Sequence, residues 1–181
     1  MRAALKPLLV IAAAVAAALG FSSLQEHKGY ALQPGIVAPG FRLPSLAGGE
    51  VELASFRGKI VIVNFWATWC PPCVEELPSL ERLHRALGNE GLVVLSVSAD
   101  EDEAALRRFV SEHGVSFPVL RDPGGRLAAA AYHTTGYPET FVIDGQGLLS
   151  ESVIGPSEWS SPAAIDHFRD LIRTRSTAPT R

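Results

Sequence analysis

The chain has 181 residues, with 16 Lys+Arg against 19 Asp+Glu and a formal net charge of −3. That length suits one globular domain with an appendage, and a content of 47% hydrophobic and 19% charged residues argues against a disordered chain. The faint acidity offers no basic surface for nucleic acid, and two cysteines build neither a disulfide-stapled scaffold nor a four-thiolate zinc site.

Arg2 and Lys6 precede an apolar run from Leu8 to Phe21 that continues weakly to Leu24, and no charge follows until Glu26. A positive start ahead of an uninterrupted apolar stretch is an export signal with its basic end in the cytoplasm. From Leu8 to Leu24 there are 17 residues, the lower limit for a spanning helix, while Ala18-Leu19-Gly20 offers a small-residue cleavage site. Residues 1–24 are therefore expected to form a hydrophobic helix that anchors the protein in the membrane, or else a signal peptide that is cut away. Their removal leaves 14 basic against 19 acidic residues, a balance of −5. Both thiols are then exported into an oxidising compartment.

Residues 25–39 contain Gly29, Pro34, Gly35 and Pro39 and read as a tether. Phe41 to Leu43 and Val51 to Leu53 flank Ala47-Gly48-Gly49, a small hairpin. Ile60 to Trp66 is continuously β-branched and apolar apart from Asn64, which fits a strand covered on both faces. Val74, Leu77, Leu80, Leu83 and Leu87 then recur at a helical period, with Pro78 expected to kink the helix and Gly88 or Gly91 to end it. Leu92 to Val97 is a second buried strand. A helix is expected from Ala99-Asp100-Glu101-Asp102 to about His113, its acids placed at the N-terminus and Gly114 stopping it. Phe117 to Leu120 reads as a short strand and Gly125 to Tyr132 as a short helix. Thr140 to Ile143 and Leu148 to Val153 bracket the turn Asp144-Gly145-Gln146-Gly147. A last helix runs from about Pro162 to Ile172, with Ile165, Phe168, Leu171 and Ile172 facing inward, and residues 173–181 read as a frayed tail. Strands alternating with helices, then a hairpin and a closing helix, give an α/β domain over residues 40–172. Its central sheet is mixed, with helices on both faces.

Both cysteines lie in Trp69-Cys70-Pro71-Pro72-Cys73, between the buried strand and its following helix. Two thiols three positions apart at a helix start can close a disulfide within one turn. The first lies near the unpaired backbone donors and the positive end of the helix dipole, which stabilise a thiolate. Thiolate is the attacking species in exchange, so Cys70 is expected to be the nucleophile. Cys73, one turn inside, is expected to be less exposed and to resolve the mixed disulfide. Proline at the first helical positions costs little, because those N–H groups lack intrahelical partners. A permanent bridge between such near neighbours closes a tiny loop and contributes little stability. Metal transfer would need a further ligand, and His84, His113, His133 and His167 show no ligand spacing.

Asn64-Phe65-Trp66-Ala67-Thr68-Trp69-Cys70-Pro71-Pro72-Cys73, followed by Glu76-Leu77-Pro78, resembles the thioredoxin superfamily. More narrowly, it is similar to the membrane-anchored, extracytoplasmic branch that includes TlpA, ResA and CcmG/DsbE, over roughly Phe41 to Leu171. The resemblance implies a thioredoxin-like fold preceded by the N-terminal hydrophobic helix. Gly136-Tyr137-Pro138-Glu139-Thr140-Phe141 is similar to the family segment with the cis-proline facing the two cysteines. That implies a cis bond before Pro138, with the backbone of Tyr137 available to an extended substrate. Glu76 matches an acidic position near the active site and is expected to move a proton to or from Cys73. Asn64 stands where cytoplasmic thioredoxins carry a buried aspartate, which leaves Glu76 as the leading proton acceptor. Glu139 resembles an acidic residue of the cytochrome maturation subgroup and is expected to select partners, unless it is an exposed loop charge. Trp69 is expected to line the approach and Trp66 to pack beneath.

The function implied is thiol–disulfide exchange with extracytoplasmic proteins, as a reductase, with apocytochrome c cysteines the leading substrate and no cofactor or metal. A membrane electron donor would restore the dithiol, because an oxidising compartment will not. The alternatives are a general disulfide oxidase or isomerase, and a copper-delivery module using the dithiol as ligand. Peroxidase chemistry fits less well. Peroxiredoxin-like sites place threonine three residues before the cysteine, whereas Thr68 lies two before Cys70.

Overall fold

In the computed structural model, residues 32–175 are described. The expected anchor or signal over residues 1–24 lies outside them, as do residues 25–31 and 176–181. No helix among the described residues is long and apolar enough to cross a membrane.

A small antiparallel hairpin comes first, β1 (Arg42–Pro44) with β2 (Glu50–Glu52), followed by β3 (Ile60–Trp66), α1 (Pro71–Leu87) and β4 (Leu92–Ser98). Next are α2 (Glu103–Glu112), β5 (Val119–Arg121), α3 (Arg126–Ala130), β6 (Glu139–Ile143), β7 (Leu149–Ile154) and α4 (Pro162–Arg175). The central sheet has five strands in the order β5-β4-β3-β6-β7. The β3–β4 and β4–β5 pairs are parallel, and β3–β6 and β6–β7 are antiparallel. This is the mixed sheet expected from the element order, with β3 at its centre and buried along its whole length.

Alternation along β3 divides the core. Ile60, Ile62 and Trp66 belong to a cluster with Leu77, Leu80 and Leu83 of α1 and Phe168 of α4. Val61, Val63 and Phe65 belong to a second cluster with Ala128 of α3 and Tyr132. Asn64 falls on the α1 side of the strand by the same alternation, a polar residue with 0% exposure in an otherwise apolar row. Its register neighbours are Ser96 on β4 and Thr140 on β6. Polar groups thus cross the sheet in one line beneath α1.

Three sequence expectations need correction. The helix α2 starts at Glu103 and not at Ala99, because the Asp102 carboxylate accepts from Ala105 N–H as its cap, while Asp100 is folded back on the loop before Cys70. The helix α4 continues to Arg175, three residues past the expected end. The folded unit also begins before residue 40. The Gly35 and Ala38 N–H groups donate to Leu149 and Gly147 carbonyls, and Leu149 N–H donates to Ile36. The described end of the expected tether is therefore laid along the β7 edge of the sheet. α1 itself runs through Pro78 as one element and is capped at Gly88.

Candidate active site

β3 runs into the loop Ala67–Trp69 and then into α1, so the strand end and the helix start fix the two cysteines. Cys70 is the N-cap residue, with extended backbone (φ −103°, ψ 100°), and prolines occupy the first two helical positions. The Cys73 and Val74 N–H groups close onto the Cys70 carbonyl at 3.0 and 3.2 Å. Cys70 and Cys73 form a disulfide, with Cα atoms 5.3 Å apart. Their surroundings differ: Cys70 keeps 6% exposure and Cys73 has none. Of the two, only Cys70 retains any exposure to solvent.

The loop ahead of Cys70 is held by a group read in the sequence as a helix-starting acid. Asp100 Oδ2 accepts from Thr68 N–H at 2.9 Å, and Oδ1 accepts from the Thr68 hydroxyl at 2.6 Å. Ser98 Oγ donates to the same carboxylate at 2.7 Å. The Asp100 side chain, just past the end of β4, thus pins Thr68, two positions before Cys70.

Glu76 lies one turn inside α1 from Cys73, on the same helix face, and is 3% exposed. Its Oε1 accepts from Asn64 Nδ2 at 2.8 Å, and its Oε2 accepts from Trp159 Nε1 at 3.0 Å and Ser157 N–H at 3.1 Å. The Asn64 amide also donates to Thr140 Oγ1 at 2.9 Å. Burial pushes the Glu76 carboxyl above its ordinary value, and the donors from Trp159, Asn64 and Ser157 pull against that push without cancelling it. A buried carboxyl with a raised pKa thus stands one helical turn from Cys73.

The peptide bond between Tyr137 and Pro138 is cis. The Tyr137 ring meets the Trp69 ring edge to face at 5.9 Å. Trp69 is 66% exposed beside the disulfide, whereas Trp66 is fully buried and packs on Phe109. Gly125, with φ +65°, lets the Tyr137 hydroxyl approach its backbone; a Cβ there would lie 2.1 Å from that oxygen. Burial, together with the Asp122 carboxylate, raises the Tyr137 hydroxyl. Glu139 opens β6 and is 5% exposed, accepting from Thr135 N–H at 3.0 Å. It is not an exposed loop charge, and burial raises its carboxyl. Among the described residues no group of three or more His, Cys, Asp or Glu side chains is placed to hold a metal ion.

Cys70, Cys73 and Glu76 are thus gathered at the start of α1 with Asn64 of β3 bonded to Glu76, and Trp69, next to Cys70, meets Tyr137. Residues 34–152 match the AhpC/TSA family. The chain belongs to that family. It is 35% identical to the thiol-disulfide oxidoreductase ResA of Bacillus thuringiensis over 150 residues, covering 82% of this chain and 84% of that protein. Among solved structures, it is similar to a thiol:disulfide interchange protein of the thioredoxin family from Chlorobium tepidum. The TM-score is 0.64 at 27% identity, covering 80% of this chain and 97% of that one. A secreted thiol-disulfide isomerase from Corynebacterium glutamicum matches with a TM-score of 0.67 at 26% identity, covering 75% and 85%. The fold is thioredoxin-like, and the protein is a thiol–disulfide oxidoreductase of the ResA/DsbE type.

Sequence reasoning passed over two residues that the structure brings to this site. Asp100 was hidden among four consecutive helix-starting residues. Trp159 stands alone in the polar run Ser157-Glu158-Trp159-Ser160-Ser161, and a large indole in such a run was the available signal.

Proposed function

We propose that the protein reduces disulfides of proteins outside the cytoplasm, with apocytochrome c cysteines as substrate, and that a membrane electron donor restores its dithiol. The single observation that carries this reading is the asymmetry of the pair: Cys70 keeps some exposure, while Cys73 has none and lies one helical turn from the buried carboxyl of Glu76. In the reduced protein the Cys70 thiolate attacks one sulfur of the target disulfide. A Cys70–target disulfide forms, and the other target sulfur leaves as thiolate and takes a proton from solvent. Cys73 then gives its proton to the Glu76 carboxylate and attacks the Cys70 sulfur. The Cys70–Cys73 disulfide forms, the second target sulfur departs as a thiolate, and Glu76 returns its proton to it. The target gains two electrons and two protons; the protein supplies both electrons and the Cys73 proton, and solvent supplies the other proton.

Trp69 and Tyr137 offer the apolar wall against which an extended target segment lies, with Pro138 at its base. Glu139 is the acidic group beneath that segment and biases the choice of partner. The apolar run at residues 8–24 supports export and anchoring at the outer face of the membrane, and the similar Corynebacterium thiol-disulfide isomerase is a secreted protein.

Trapping in cells tests the reading. Cys73→Ala removes the resolving thiol, so targets should accumulate as mixed disulfides on Cys70, with apocytochromes among them. Recovery of no target, while Cys70 still alkylates, would overturn it.

A further inference from the structure

The segment joining β7 to α4 grips α1 through polar contacts that core packing alone does not require. Positions 76, 79 and 82 recur every three residues and share one face of α1. Each is tied to that segment. Glu76 accepts from Ser157 N–H and from the Trp159 indole. Ser79 Oγ accepts from Trp159 N–H at 3.2 Å. Arg82 donates to Ser160 Oγ at 2.8 Å and pairs with Glu158 at 3.3 Å. Trp159 is buried, with its ring centre 6.2 Å from that of Phe168.

An indole N–H can only donate. It serves an ionised carboxylate strongly and offers nothing to the O–H of a carboxylic acid. The Ser157 N–H and the Asn64 Nδ2 are donors as well, so every polar contact given above for this carboxyl favours its charged form, against burial. We propose that Trp159 is a positioning residue for the exchange reaction: its indole N–H fixes the Glu76 carboxyl and sets the pH at which that group can take the Cys73 proton. The inference rests on the proton-acceptor role given to Glu76 above.

Other groups face Glu76 as well. Asn64 comes from β3, and Thr140 of β6 acts through the Asn64 amide. A recess lined by Glu75, Glu76, Ser79, Pro156, Ser157 and Glu158 adds two carboxylates, one on α1 and one on the facing segment. Arg82 pairs with Glu158 at 3.3 Å. All of these stay in place when the indole N–H alone is removed.

The test is the pH–rate profile for insulin-disulfide reduction by the reduced protein, with a 13C carboxyl titration of Glu76 alongside. Trp159→Phe removes the donor and keeps a ring against Phe168. Site-specific benzothienylalanine at the same position replaces the N–H by sulfur at nearly constant shape, should the phenylalanine variant fold poorly. Either change should move the acid limb and the Glu76 titration upward by about one pH unit, the difference between donating to a charged and to a neutral acceptor. In a Glu76→Gln background neither change should move the profile. An unmoved Glu76 titration in the folded variant, or an equal shift in the Gln background, overturns the role of Trp159. An acid limb that survives Glu76→Gln overturns instead the proton role of Glu76, and this inference falls with it.

Discussion

Asn64→Asp is the sharpest single perturbation of the buried site. In the native protein the Asn64 amide donates to Glu76 Oε1 at 2.8 Å. The substitution puts a second carboxyl at that distance, with both side chains shielded from solvent. Two unit charges 2.8 Å apart repel by roughly 6 kcal/mol at an effective dielectric near 20. One pH unit supplies only about 1.4 kcal/mol of proton-binding free energy, so the pair must retain a proton at neutral pH. The native state then binds a proton that the unfolded chain has released, and stability falls as pH rises. Burial of Glu76 already acts in this direction: its raised carboxyl contributes stability below its unfolded value, and that contribution is lost as pH rises through the window up to the folded value. In Asn64→Asp the slope steepens by about 1.4 kcal/mol per pH unit, a loss roughly 4 kcal/mol larger at pH 7 than at pH 4. Urea denaturation of the oxidised protein at pH 4, 5, 6 and 7 measures it. Adding Glu76→Gln removes the like charge and should return much of the loss at pH 7. Equal destabilisation at pH 4 and pH 7, with no rescue in the double variant, would refute the coupling.

Three further outcomes follow from the site. Asp100→Ala frees the Thr68 N–H and hydroxyl and the Ser98 hydroxyl, and should cost about 2–4 kcal/mol by urea denaturation; a change below about 0.5 kcal/mol would mean that the carboxylate does not hold the loop. Gly125→Ala combines a left-handed backbone with a Cβ against the Tyr137 hydroxyl. It should cost about 1–2 kcal/mol in melting experiments and should alter Trp69 fluorescence as Tyr137 is displaced, whereas an unchanged spectrum would separate the two rings. Trp69→Ala should leave stability within about 0.5 kcal/mol, because the side chain is largely exposed. Turnover on insulin disulfides should fall several-fold more than turnover on a small-molecule disulfide, and equal losses on both would deny Trp69 a part in holding protein substrates.

The parts of this protein that are readable from sequence are those in which one physical rule acts alone. The run Ile60 to Trp66 has a single interpretation, since only a strand buried on both faces tolerates so many β-branched residues, and it coincides with β3. The same holds for the leucine spacing of α1 and for the turn at Asp144. Where two rules compete, the sequence is ambiguous. Four residues from Ala99 to Asp102 all suit a helix start, and nothing local distinguishes Asp102, which caps α2, from Asp100, which reaches back to Thr68. That choice is made by the parallel pairing of β3 with β4, which brings the end of β4 beside the loop after β3. Residues 35–38 look like a linker for a similar reason. Gly35 and the flanking Pro34 and Pro39 mark irregular backbone, and only the edge of β7 gives that backbone partners.

The Glu76 environment shows why a site can be half legible. Cys70, Cys73 and Glu76 fall on one helix start at fixed spacing, so sequence places them together. The donors to Glu76 come instead from residues 64, 157 and 159, on a strand and a connecting segment whose relation to α1 exists only once the sheet has formed. A carboxyl buried without those donors would stay neutral over a wide range and could not accept a thiol proton; one left in water would be too weak a base to draw that proton. On the proposed proton-acceptor role, the state of Glu76 is a property of two opposing quantities. Burial is supplied by the core around α1, and the opposing hydrogen bonds are supplied by residues far apart in the chain. Changing either one alone should shift the pH range of the reaction while leaving the two sulfurs where they are.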